Sequence, residues 1–65
     1  MKVFRIEWYK DGGGAIDDFI STDILQCLIS FYNYWEDTPE NRIVKSIQEI
    51  KLSETTYIRN VTTIF

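Results

Sequence analysis

The spacing of hydrophobic and polar positions along this chain changes period after residue 21 and again after residue 37. Residues 2–10, KVFRIEWYK, alternate, with Phe4, Ile6 and Trp8 on one side and Val3, Arg5, Glu7 and Tyr9 on the other. A period of two predicts a strand with one buried face. Asp11-Gly12-Gly13-Gly14 follows, a cluster whose glycines take positive φ without steric penalty. With residues 15–21, AIDDFIS, it predicts a β-hairpin of about four loop residues. Asp17 and Asp18 are poor strand formers. The second strand is therefore expected at an edge, where charge discourages pairing with another chain.

Across residues 22–37, TDILQCLISFYNYWED, the period becomes helical. At 100° per residue, Leu28, Trp35, Phe31, Cys27, Tyr32 and Leu25 gather around Ile24, with Tyr34 and Ile29 at the two margins. Gln26, Ser30, Asn33 and Asp37 fall opposite. Thr22 is the expected cap, and Asp23 in the first turn suits the positive end of the helix dipole. Asp37-Thr38-Pro39 supplies the stop, because a residue before proline leaves the helical region. The apolar arc exceeds the roughly 100° stripe that a one-sided helix needs. Either the only helix of a small domain is wrapped by its sheet, or Tyr32, Tyr34 or Ile29 meets another chain.

Residues 43–52, IVKSIQEIKL, fit two patterns. Their β-branched content favours a strand, with alternation slipping between Ile47 and Ile50 and so requiring a bulge. A helix capped by Thr38, with Pro39 first, is the alternative. The strand is preferred because residues 55–64, TTYIRNVTTI, are β by composition and need a partner, with Ser53-Glu54 as the turn. The expected fold is one α+β domain over residues 1–65: ββαββ, a single helix on a mainly antiparallel sheet, or ββααβ if the ambiguous segment is helical. Phe4, Ile6, Trp8, Leu25, Leu28, Phe31, Trp35 and Ile47 are the expected core.

Composition narrows the chemistry. Sixty-five residues lie near the lower limit for folding without staples. One cysteine excludes an intrachain disulfide, and the absence of histidine with a single thiol excludes a zinc site. Dense aromatic packing or self-association is left to compensate, and a homo-oligomer is a possible state. No apolar run near Met1 resembles a signal peptide, and none reaches the ~20 residues of a membrane span, so a cytoplasmic protein is expected. No catalytic constellation is present, no metal or other cofactor is implied, and the chain is read as a non-enzyme. The glycine cluster lacks the lysine and hydroxyl residue of a phosphate loop. Asp17 and Asp18 are adjacent on a strand and point to opposite faces, so they do not converge on one ion.

Charge is the remaining signal. Between Lys10 and Arg42 no basic residue occurs, while Asp11, Asp17, Asp18, Asp23, Glu36, Asp37 and Glu40 do. Such segregation disfavours nucleic acid and favours a basic protein partner. Tyr32, Tyr34, Glu36, Asp37 and Glu40 are the candidate partner-binding residues, with rings as anchors and carboxylates for steering. The expected function is a small binding protein that covers a basic functional surface, as an inhibitor or adaptor of the economical kind encoded by phages or mobile elements. Two alternatives come from other classes. One is a homo-oligomer binding a nucleotide-like molecule between subunits, motivated by the glycine loop and by Lys2, Arg5, Lys10, Arg42 and Lys45. The other is a structural subunit of a larger assembly.

Overall fold

In the computed structural model, which describes residues 1–61, the alternating N-terminal segment forms strand β1 (Lys2–Lys10) and pairs antiparallel with β2 (Gly13–Ser21). The loop between them is two residues long, not four. Asp11 (φ 51°) and Gly12 (φ 80°) both take positive φ, the geometry of a type I′ turn whose twist matches the flanking strands. Gly13 and Gly14 belong to β2. Gly14 has its own reason to be glycine, since a Cβ there would lie 2.8 Å from the Trp8 carbonyl oxygen.

The helix, α1 (Ile24–Trp35), starts one residue later than its cap was expected. Asp23, not Thr22, is the N-cap, and its carboxylate accepts from the Gln26 N–H at 2.9 Å. Its longer acceptor arm and charge make it the better cap for a positive helix end. The stop also precedes the proline. Glu36 turns left-handed (φ 51°), and the Asp37 N–H returns to the Tyr32 carbonyl at 3.2 Å, closing the helix without glycine.

Residues 43–50 are a strand, β3 (Ile43–Ile50), antiparallel to β1, giving the sheet order β2-β1-β3. The bulge is present but lies elsewhere. Glu7 pairs with Ser46 and Trp8 with Val44, so Lys45 is the extra residue. This shift brings Val44 and Ile47, three apart in sequence, to the same helix-facing side. Ile50 pairs with Val3 and points to the other face, where it needs no bulge.

The fold is thus the expected α+β arrangement of one helix on an antiparallel sheet. Its last segment is placed differently from the partner strand of a second hairpin. Leu52–Glu54 is a single 3-10 turn, after which the chain crosses β1 on the face away from the helix. Ile58 then bridges Asp18 of β2 in parallel. The Arg59 N–H donates to the Asp18 carbonyl, and the Asn60 side-chain amide exchanges hydrogen bonds with both Ile20 backbone groups. The final residues of the expected strand, 62–64, lie outside the described residues.

Phe4, Ile6, Phe19, Cys27 and Phe31 form the buried cluster between helix and sheet, with Trp8, Tyr32, Trp35, Val44 and Ile47 against it. Leu25 is 66% exposed and is not core. The helix backbone lies over β2, which rotates the 27–31–34–35 side of α1 inward and Leu25 outward. Phe19, absent from the expected core, is fully buried: it pairs across from Phe4 and meets Phe31 edge-on at 5.8 Å.

Candidate functional site

Two polar clusters organise the face between helix and sheet. Asp17 sits on the same side of β2 as Phe19, with its side chain 1% exposed. A carboxylate buried there needs partners, and it has three. Trp8 Nε1 and Trp35 Nε1 both donate to its Oδ2, at 2.7 and 3.0 Å, and Arg59 Nε donates to Oδ1 at 2.9 Å. The two indoles, with ring centroids 5.4 Å apart, also hold the guanidinium of Arg42, which stands 4.4 Å from the Trp8 ring and 4.3 Å from Trp35.

Arg42 leads into the second cluster. Its Nε donates to Asp37 Oδ2 at 3.2 Å, and Lys10 Nζ donates to the same oxygen at 2.8 Å. The Thr38 N–H satisfies Oδ1. The Lys10 hydrogen bond, helped by that of Thr38, holds the Asp37 carboxyl down at about 2. Tyr32 completes the loop by donating its hydroxyl to the Arg42 carbonyl at 2.7 Å, and burial pushes its phenol up. On the opposite face Asp18 accepts from Arg5 at 2.9 and 3.0 Å and from Thr55 at 2.6 Å. Burial pushes Asp18 upward, but the hydrogen bonds from Arg5 and Thr55 outweigh it and hold the carboxyl below its usual range. No buried side-chain nitrogen or oxygen among the described residues lacks a partner.

Comparison with protein-family models, with curated proteins and with solved structures finds no match for this chain.

The five candidate residues divide. Tyr32 and Asp37 are tied into the loop by the contacts above. Tyr34 is 40% exposed, with its ring edge-on to Phe19 and Trp35 and Arg59 over its face. Glu36 and Glu40 are exposed and form no ion pair among the described residues. Asp11, beside Lys10 in the hairpin turn, joins them, because the Lys10–Asp37 pair brings that turn to the helix exit. Lys10 and Arg42 share one carboxylate and leave a net +1, so Asp11, Glu36 and Glu40 still make this end acidic.

The Asp17 cluster escaped the sequence reading, although a signal existed. Ala15, Asp17, Phe19 and Ser21 share one strand face, and a carboxylate two residues from a core phenylalanine requires buried donors. What linear spacing does not show is that the donors are Trp8, Trp35 and Arg59, up to 42 residues away. Chemically the cluster is closed, since each Asp17 oxygen is already engaged. Cys27 is equally enclosed, and burial pushes its thiol to about 11. Among the described residues no three of His, Cys, Asp and Glu converge as metal ligands. No helix among them is long and apolar enough to cross a membrane.

Proposed function

We propose that this chain is a small non-enzymatic binding protein whose acidic end covers a basic functional surface of a partner protein, as an inhibitor or adaptor. The supporting observation is that Asp11, Glu36 and Glu40, exposed and outside any ion pair among the described residues, adjoin in sequence the Lys10–Asp37–Arg42 cluster that ties the hairpin turn to the helix exit. Exposed carboxylates presented on a folded backbone steer a basic partner from a distance. Glu36 and Glu40 carry the binding role. Asp37 shapes the loop that presents them.

Asp37 is therefore left intact in the test. A lysine- and arginine-rich peptide is titrated into the wild type and E36K/E40K at low and moderate salt. The expected result is binding that weakens with salt and falls by about tenfold or more in the variant. Equal affinity in the two proteins contradicts the reading.

The nucleotide alternative has less support. Lys2, Arg5, Lys10, Arg42 and Lys45 each have a carboxylate partner, and Gly12 and Gly14 answer to the turn and to the close approach of Trp8.

A further inference from the structure

We propose that the terminal edge of the Arg42 guanidinium is a receptor for a carboxylate supplied from outside the chain. It goes beyond the acidic-end reading, which calls only for cations on the partner, and stands or falls by different measurements. Of the three arginines, Arg42 is the most enclosed, with its side chain 9% exposed against 31% for Arg5 and 35% for Arg59. The indoles of Trp8 and Trp35 hold its flat group, Asp37 takes its Nε, and its carbonyl accepts the Tyr32 hydroxyl. It is also the arginine whose terminal nitrogens are unspent. Arg5 gives Nη2 to Asp18 and to the Glu54 carbonyl, and Arg59 gives Nη1 to the Tyr34 hydroxyl. Nη1 and Nη2 of Arg42 donate to nothing among the described residues. Every buried side-chain nitrogen among those residues has a partner, so these two keep a share of the little surface that Arg42 shows to water. Asp37 does not fill the edge, because the Thr38 N–H holds its other oxygen at 2.8 Å.

Chemistry and charge select the ligand. Two N–H groups in a rigid planar fork match the two oxygens of a carboxylate, and a guanidinium already stacked and held loses little freedom in forming the pair. The apolar rings around it strengthen the hydrogen bonds by excluding water. Lys10 and Arg42 share the single carboxylate of Asp37, so the cluster holds one positive charge in excess. A carboxylate cancels that charge. A phosphate group brings close to two negative charges at neutral pH and overshoots it, with Asp11, Glu36 and Glu40 already close by in sequence. A free small acid, or an aspartate or glutamate set among a partner's lysines, carries the group that fits.

The test follows the Arg42 Nε–Hε resonance of the 15N-labelled protein at neutral pH and constant ionic strength. Acetate and phosphate are titrated separately. Two lysine-rich peptides, identical except for one central glutamate or glutamine, are titrated into the wild type and Arg42→Lys, which keeps the charge and loses the fork. Circular dichroism checks the variant's fold, and the wild-type titrations decide the matter even if it unfolds. Acetate is expected to move the resonance saturably, and phosphate to move it less. The glutamate peptide is expected to bind the wild type about fivefold or more tightly than the glutamine peptide, a preference that Arg42→Lys loses. A peptide preference without an acetate response assigns the receptor to a partner's side chain, and an acetate response without a preference assigns it to a free acid. A phosphate response equal to that of acetate, a preference that survives Arg42→Lys, or the absence of both acetate response and preference overturns the proposal. Equal, salt-sensitive binding of the two peptides with no acetate response still leaves the acidic-end reading standing. That reading fails instead on equal binding by the wild type and E36K/E40K.

Discussion

Asp17 ties β1, α1 and the C-terminal segment to β2 through one carboxylate. Its two oxygens satisfy two indole N–H groups and one guanidinium, and these position Trp8 and Trp35 around Arg42. Replacing it with alanine strands three donors, two of them on indoles packed against the core. With Arg59 partly exposed, the expected loss is about 3 kcal/mol, read from the urea midpoint. Asp17→Asn keeps an acceptor for the indoles and is expected to lose less. A loss below about 1 kcal/mol in the alanine variant contradicts this role. The same residue marks a boundary of what the linear pattern conveys. Alternation assigns Asp17 a face, but the face alone does not reveal that an arginine from the chain's far end arrives to neutralise it. Asp37 is the parallel case. It falls in an acidic run, yet Lys10 of β1 and Arg42 at the far end of the same loop enclose it.

At the scale of elements, strong periodicity was legible and terminations were not. β1 and α1 follow directly from spacings of two and about 3.6. The I′ turn depends on Asp11 accepting positive φ, which shortens the loop and passes two glycines to β2. Gly14 tests that register. Gly14→Ala drives a methyl to 2.8 Å from the Trp8 carbonyl oxygen, whereas a methyl at position 13 finds its nearest neighbour at 3.7 Å. The expected cost is about 1–3 kcal/mol for the first and clearly less for the second, measured by thermal melts of the two variants. Equal effects contradict the register. In β3 the two isoleucines suggest a slip that the structure locates at Lys45, because side-chain identity shows the need for two faces but not where the partner strand yields. The C-terminal segment illustrates a different limit. Its threonines and β-branched residues favour extended backbone, but its partner is β2 rather than β3. That choice is made by side chains: Thr55 on Asp18, Arg59 on Asp17, and the Asn60 amide standing in for a strand's peptide group along Ile20.

For the whole molecule, the ion pairs set the response to acid. Asp37, at about 2, and Asp18, held below its usual range, both have lower values folded than unfolded. Their stabilisation is complete above the ordinary carboxylate value of 3.8 and is lost as pH falls through the folded values. Stability is therefore expected to decline between about pH 4 and 2, with a shallower decline in Asp37→Asn. Urea midpoints across that range check it, and identical slopes in the two proteins contradict the assignment. Over the same molecule, the paired charges are internal fastening, and the proposed function rests on the unpaired ones. The segregation of charge was visible in the sequence, but which carboxylates are paired is a property of the fold: Asp37 is held by Lys10 and Arg42, while Asp11, Glu36 and Glu40 form no ion pair among the described residues. The most direct measurement is an amide chemical-shift map of the 15N-labelled protein during titration with a lysine- and arginine-rich peptide. The expected result is a cluster of shifts at Asp11–Gly12 and across residues 36–41. Shifts confined to the sheet face opposite α1, or none up to millimolar peptide, contradict an acidic binding end.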